Sequence, residues 1–219
     1  MNGHLDKFVI DLKGNLGENL VSVILYGSAA KGGRVPEHSD LNVLVVLGDA
    51  TLAAIDSMEK TVLAARKNAR IFPVFWGINE LKTSSDVFPM EFEDISRNNK
   101  VLFGADIFKD VAIDKKDLRH QIEFELRSKL LQLRGEWFSL KNSKSLLADF
   151  LMRSGTSFLH IFPHAQGLLG GKLNEALAEP FRECVRMKKG GKQDLKGLAE
   201  LYDRAHLAVC KIIAEIDKA

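Results

Sequence analysis

The first half of the chain alternates between apolar residues at helical spacing and short unbroken apolar runs. The helical spacing predicts two helices, over residues 5–20 and 51–68. Thr51 is placed to cap the second helix, whose apolar residues are expected to face inward, namely Leu52, Ile55, Met58, Val62 and Leu63. Unbroken runs of strand length predict buried strands at 21–26, 41–47 and 71–76.

The segment that follows is predicted to add one helical turn and a fourth strand. The turn falls at 79–82 and the strand at 89–95. In such a strand Glu91 and Glu93 alternate with Met90 and Phe92, so we expect the two carboxylates to share one face.

From Asp114 onward the apolar spacing is helical. A single long helix is predicted by the stripe Leu118, Ile122, Leu126, Leu130, Leu133 and Trp137. Three further helices are expected at 145–159, 174–188 and 194–218, the last capped by Asp194 after a break at 189–192. The pattern therefore predicts a domain of strands and helices at 1–112, followed by a four-helix-bundle-like domain at 113–219.

Composition narrows the class of protein without identifying it. The 219 residues are 46% hydrophobic and 27% charged with a net charge of +2, which is typical of a soluble globular protein. The apolar runs are too short to span a membrane and the N-terminus does not resemble a secretion signal, so we expect a cytoplasmic protein. Cys184 and Cys210, the only cysteines, exclude a disulfide framework and a cysteine-built zinc site. Basic residues do not alternate with aromatic residues along the chain, so no extended nucleic-acid interface is expected. The sequence is also consistent with a homodimer.

Glycine and polar residues mark the ends of the first two predicted strands. The first run stops at Gly27 and Ser28, while the second is preceded by Ser39 and Asp40 and contains Asn42. A glycine turn lets the backbone approach a ligand closely, and its N–H groups and the Ser28 hydroxyl can receive phosphate oxygens. Asp40 and Asn42 are two residues apart on a strand, so their side chains emerge on one face. A phosphate cradle beside a pair of oxygen ligands suits a magnesium–nucleotide complex.

This pattern, Gly-Ser with a glycine a few residues later and then Ser-Asp-x-Asn, resembles the signature of the DNA polymerase β-like nucleotidyltransferase superfamily. The nearest match is the small bacterial branch, which includes minimal and aminoglycoside-type nucleotidyltransferases, and it covers residues 20–96. The resemblance implies an α+β fold class, with a mixed-sheet nucleotidyltransferase-like domain ahead of the helical bundle. It also implies Mg²⁺, an NTP with ATP as the first choice, and transfer of a nucleotidyl group to a small-molecule or protein acceptor.

The resemblance also assigns roles to individual residues. The nucleotide would be bound by Gly27, Ser28, Lys31 and Ser39. The metal would be held by Asp40, Asn42 and Glu91, the last matching the family's third acid on a later strand, with Glu93 in reserve. The general base would come from the helical domain, where Glu125 is the candidate. Glu123 is also in position, but an ion pair with Arg127 one turn away accounts for it.

Asn42 stands where the family usually carries its second aspartate. An amide oxygen can ligate magnesium but brings no charge, so a second ion loses one of few carboxylates. The alternative function is therefore a catalytically impaired nucleotide-binding or protein-interaction module.

Two further patterns lie in the helical half. Arg153 and Ser154 with His160 resemble the Arg–His element of HEPN ribonucleases, which gives a third hypothesis of a helical-domain ribonuclease. His160 and His164 have the spacing of a helix-borne zinc site, but Pro163 intervenes and the sequence offers no evident third ligand. We therefore expect these histidines to be ordinary core or surface residues.

Overall fold

A computed structural model of the chain describes residues 3–30, 40–109, 111–187 and 194–219. The chain divides into two compact units, the first ending at Asp114 and the second beginning at Lys115. The first combines a mixed sheet with helices, and the second is helical over its described residues, which confirms the α+β fold class. Within these ranges, every helix is too short or too polar to cross a membrane.

The N-terminal unit is built on a sheet of four described strands in the order β3-β2-β1-β4. Their bounds are Leu20–Tyr26 (β1), Leu41–Leu47 (β2), Ile71–Gly77 (β3) and Asn99–Gly104 (β4). β1 is antiparallel to both β2 and β4, whereas β2 and β3 run parallel. The first three strands lie where the apolar runs predicted them. Pro73 is tolerated in β3 because an edge strand leaves one side of its backbone without a ladder partner.

Helices pack on both faces of this sheet. Their bounds are Gly3–Leu16 (α1), Leu52–Asp56 (α2), Glu59–Ala69 (α3), Ile78–Lys82 (α4) and Pro89–Arg97 (α5). One face forms a core with α1 and α3 through residues that include Phe8, Leu12, Val23, Val45 and Met58. The other face packs against α4 and α5 through Ile24, Leu44, Val46, Leu81, Phe92 and Ile95. The alternation of β1 and β2 thus supplies two cores, because successive residues point to opposite faces.

The fourth predicted strand is wrong, because residues 89–97 form helix α5 and the fourth strand begins at Asn99. Met90 and Phe92 have the two-residue spacing of a strand face, whereas the buried pair Phe92 and Ile95 has the three-residue spacing of a helix. Pro89 lies in the first turn of α5, where a missing N–H removes no helical hydrogen bond.

Two predicted helices differ from the structure in their bounds. α1 ends at Leu16, because Gly17 adopts a φ of 52° and turns the chain toward β1. The helix predicted at 51–68 is divided into α2 and α3 around Met58, although Thr51 caps it as expected by accepting a hydrogen bond from the Ala54 N–H. Met58 is buried, but Leu52 and Leu63 are exposed, contrary to the prediction. The division changes the helical phase, so one inward stripe cannot continue across it.

The described helices of the C-terminal unit are Lys115–Leu140 (α6), Lys144–Leu168 (α7), Glu179–Arg186 (α8) and Leu195–Asp217 (α9). α6 and α9 follow the predictions, and the Asp194 carboxylate caps α9 by accepting from the Gly197 N–H at 2.8 Å. α7 extends beyond the predicted end and passes through Pro163, with Ile161, Phe162 and Ala165 buried around the proline. The helix predicted at 174–188 is instead a 3-10 turn at Glu175–Ala178 followed by α8.

Gly155 determines how closely α7 and α8 pack. A Cβ atom at this position would lie 2.6 Å from the Cys184 Cβ and 2.9 Å from the Phe181 carbonyl oxygen. Beside it, the rings of Phe158 and Phe181 stack with centroids 4.6 Å apart. Burial raises the pKa of the Cys184 thiol to about 12, so this cysteine is an inert core residue.

We predict that Gly155→Ala destabilises the protein whereas Gly135→Ala does not. The added methyl at 155 has no room and should cost about 1–3 kcal/mol. At Gly135, on α6, a Cβ meets nothing within 4 Å, and alanine should stabilise the helix by roughly 0.5–1 kcal/mol. Urea unfolding of the two variants measures the difference, and a Gly155→Ala protein as stable as wild type would contradict the packing described.

Candidate functional site

The turn after β1 is formed by a glycine that another residue could not easily replace. Gly27 has a φ of 77°, and its N–H donates to the Asn98 carbonyl at 3.2 Å. Residues Gly27–Ala30 form a 3-10 turn in which Ser28 is exposed. A Cβ at Gly27 would lie 3.4 Å from the Asn42 Nδ2 atom, so the turn also approaches the second strand closely. The exposed Ser28 hydroxyl and the N–H groups after Gly27 therefore lie at the end of β1, beside the start of β2.

Asp40 and Asn42 lie at the start of β2, beside this turn. Asn42 is opposite Tyr26 of β1 and opposite Phe72 of β3 in the strand register. Strand alternation places Asn42 on the same face as Leu44 and Val46, the face covered by α5. Burial raises the pKa of the Tyr26 phenol, so this neighbour stays a neutral hydrogen-bonding group at physiological pH.

Asp40 is ion-paired with Arg70, a residue that the sequence analysis did not single out. Arg70 donates from Nε at 2.8 Å and approaches from Nη2 at 2.5 Å, both to the Asp40 Oδ1 atom. About half of each side chain is exposed, 53% for Arg70 and 49% for Asp40. Arg70 has a φ of 51° at the end of α3, and its carbonyl accepts from the Leu41 N–H at 2.9 Å. The backbone of Arg70 is therefore anchored next to the only described carboxylate of the motif.

The strands that flank Asn42 offer no acidic side chain opposite it. The position on β3 that pairs with Asn42 is Phe72, and the position on β1 is Tyr26. A third acid on a neighbouring strand would have to lie at such a position, and here an aromatic residue takes each one. Equal-length apolar runs at Leu41–Leu47 and Ile71–Gly77, joined by helices, were the signal that could have revealed this register, because such units form parallel pairs.

Glu91 and Glu93 lose the geometry on which their assignment rested. Both lie on α5, where residues two apart point in very different directions, and not on a strand beside Asp40. Glu91 is exposed in the first turn of α5, and Glu93 accepts from Arg97 at 2.7 Å. The predicted strand with both carboxylates on one face is therefore wrong, whereas Glu91 as a metal ligand stays a prediction.

The remaining predicted residues lie on helix α6 of the helical unit or outside the described ranges. Lys31 and Ser39 fall among residues that the structure does not describe. Glu125 is on α6 and pairs with Lys129 at 3.3 Å. Glu123 pairs with Arg119 at 2.8 Å and not with the expected Arg127, which binds Asp217.

The residues of the ribonuclease hypothesis are not gathered into one cavity. Arg153 lines a cavity of about 340 Å³ between α6 and α7, together with Glu136, Ser154 and Ser157. His160 is absent from the described lining of this cavity. Its ring instead meets the buried His164 edge-on, with centroids 5.6 Å apart.

The described residues fit one magnesium ion and not two. Mg²⁺ usually binds one or two carboxylates together with waters and substrate phosphates, which Asp40 and the Asn42 amide oxygen can satisfy. Across the described ranges, Asp40 belongs to no cluster of three or more Asp, Glu, His or Cys ligands. A second ion would lack a carboxylate here.

Comparison with solved structures identifies the fold. A crystal structure of the spectinomycin adenyltransferase AAD(9) from Enterococcus faecialis, with ATP and spectinomycin, matches at a TM-score of 0.53 and 15% sequence identity, covering 99% of each chain. At this identity the likeness establishes the fold and not the chemistry. The chain therefore has the nucleotidyltransferase fold that the Gly-Ser and Asp-x-Asn motifs indicated, and the helical unit is included in the match.

Weaker similarities involve toxin–antitoxin structures. A mutant of the MntA–HpeT complex matches with a TM-score of 0.34 at 18% identity, over 57% of this chain and 94% of that one. A toxin–antitoxin structure with AMP-PNP gives 0.32 at 19%, over 64% and 95%. Both scores are too low to define a shared fold. No protein-family model and no curated protein sequence matches the chain.

We predict that Gly27→Ala destabilises the N-terminal unit by about 1–2 kcal/mol. A residue with a Cβ is strained at a φ of 77°, and this strain is the cost, since the new methyl would only make van der Waals contact with Asn42 at 3.4 Å. Gly14→Ala, on α1 with nothing within 4 Å of the added carbon, is the matched control and should not destabilise. Denaturant unfolding compares them, and equal stability of the two variants would argue against the described turn.

Proposed function

We propose that this chain binds a magnesium–NTP complex at the Gly27–Ser28 turn and Asp40, and transfers a nucleotidyl group to an acceptor hydroxyl. The observation that supports this most is the strand register, which puts the glycine turn and the exposed Ser28 at the end of β1 beside the start of β2, where Asp40 and Asn42 lie. The same fold in an adenyltransferase crystallised with ATP and spectinomycin supports ATP as donor and a small molecule as acceptor. A protein acceptor and a cytoplasmic location are compatible with the same proposal.

Each residue of the proposed site would have a defined part in this reaction. The N–H groups that follow Gly27 in the turn and the Ser28 hydroxyl would bind phosphate oxygens, because N–H and O–H donors stabilise an anion without adding bulk. Asp40 would hold the ion and Asn42 would add a neutral oxygen beside it. A magnesium ion held there would supply positive charge to the phosphates and so favour departure of pyrophosphate. Glu125 is the proposed base for the acceptor proton.

A specific set of residues favours a second candidate, a nucleotide-binding module with little or no turnover. The motif carries Asn42 in place of a carboxylate, and the neighbour of Asn42 on β3 is Phe72. In addition, Arg70 already balances the charge of Asp40. A site of this kind retains the phosphate-binding turn while lacking the charge for two ions.

We predict that Asp40→Ala weakens magnesium-dependent NTP binding by at least about tenfold, since it removes the charged ligand. Calorimetric titration with a non-hydrolysable ATP analogue, with and without Mg²⁺, measures the loss. Asp49→Ala, an exposed aspartate just beyond the other end of β2, is the control and should bind like wild type. Equal magnesium-dependent affinity for wild type and Asp40→Ala would remove Asp40 from the site.

We predict that restoring acidic residues on β2 and β3 raises turnover above that of wild type. Asn42→Asp supplies the missing carboxylate without changing size, and Phe72→Glu places an acid at the register position opposite it. Pyrophosphate release should rise more in the double variant than the two single effects combined, because the two carboxylates would share the bound ions.

Two outcomes of that experiment separate the candidates. Pyrophosphate release by wild type, lost in Asp40→Ala, supports the enzyme. Release absent from wild type and from the double variant, with NTP binding retained, supports the binding module. Glu91→Gln is included as an arm, because a loss of turnover there would reinstate Glu91 despite its position on α5.

A further inference from the structure

The Asp40–Arg70 pair joins the proposed metal ligand to a cation with an anchored backbone and an adaptable side chain. Both contacting nitrogens of Arg70 meet a single oxygen, Oδ1 of Asp40. The Arg70 carbonyl is fixed by the Leu41 N–H, one residue away from Asp40. The guanidinium therefore stays within reach of the motif whichever partner it binds.

This pair is weak enough to be exchanged. Ion pairs that are about half exposed contribute little net stability, because water and salt screen them and two side chains lose freedom. A magnesium ion held by the Asp40 carboxylate would lie a few ångströms from the guanidinium and repel it. Binding of the ion thus favours departure of Arg70 from Asp40.

A phosphate oxygen is the natural new partner for the released guanidinium. Ligands of one magnesium ion lie at about 2.1 Å from it, so a phosphate that shares the ion with Asp40 is only a few ångströms from the carboxylate. Arginine binds phosphate through paired N–H donors, and such charge-assisted bonds are stronger than neutral ones. The reach that Arg70 already shows toward Asp40 would suffice.

We propose that Arg70 exchanges partners when magnesium–NTP binds, leaving the Asp40 carboxylate for a phosphate oxygen of the nucleotide. This inference rests on the proposed nucleotide site. It makes Arg70 a nucleotide-binding residue that also competes with a metal ion for Asp40 when no nucleotide is present. Loss of Arg70 should therefore weaken nucleotide binding and strengthen metal binding. Loss of a purely structural residue would not change the two affinities in opposite directions.

The test is Arg70→Gly, which removes the guanidinium and suits a backbone φ of 51°. Mn²⁺ alone, titrated by EPR spectroscopy, should bind up to about fivefold more tightly, since the weak competing pair is gone. A non-hydrolysable ATP analogue with Mg²⁺, titrated calorimetrically, should bind at least about tenfold more weakly, because a charge-assisted phosphate contact is lost. Circular dichroism checks that the fold is retained.

Two controls define the remaining outcomes. Lys67→Ala removes an exposed cation from the last turn of α3 and should change neither affinity. Arg70→Lys keeps the charge and should retain part of the nucleotide affinity. If Arg70→Gly binds both ligands more tightly, Arg70 only competes with them for Asp40. If its affinity for Mn²⁺ is lower or unchanged, Arg70 is structural. Either result overturns the proposed exchange of partners. Failure of the proposed function looks different, because Asp40→Ala would then bind magnesium–nucleotide as wild type does.

Discussion

The pairing of β2 with a strand on each side is the constraint on which the proposed site depends. The antiparallel partner β1 ends in the Gly27 turn, so a positive φ at one glycine brings the backbone of the turn beside Asn42. The parallel partner β3 begins with Ile71 opposite Leu41, so the residues before and after it, Arg70 and Phe72, lie beside Asp40 and Asn42. A shift of one residue in either pairing would place these side chains on the other face of the sheet, and they would no longer form the site.

The same register explains why the motif is both recognisable and incomplete. A phosphate-binding turn needs little more than backbone, and the glycine turn at Gly27 meets that requirement. A two-ion centre needs several carboxylates on adjacent strands, and the positions next to Asn42 carry aromatic rings. The negative charge of Asp40 is balanced within the protein by the Arg70 guanidinium. In a two-ion centre, several carboxylates would instead surround the cations. Among the described residues of the motif, Asp40 is thus the one carboxylate that a cation could use.

The helical unit shows a different balance between local pattern and packing. Proline disfavours a helix interior by removing a donor and crowding the preceding turn. α7 nevertheless continues through Pro163, because the buried residues on either side of it hold the helix in place. At Gly155 the packing acts in the other direction, since only the smallest residue permits the approach of α8. In both cases tertiary contacts override the local preference.

The sequence alone determined the elements whose signals are local. Apolar runs predicted β1, β2 and β3, and helical spacing predicted α6 and α9. Thr51 and Asp194 marked the starts of two helices. These patterns are readable because each depends on residues within a few positions of one another. The motif around Gly27 and Asp40 could likewise be read directly. The tertiary structure decided that residues 89–97 are a helix, since Ile95 is buried against the sheet. It also decided that Arg70 meets Asp40 and that Phe72 meets Asn42, both across thirty residues of chain, and only strand pairing brings such distant residues together.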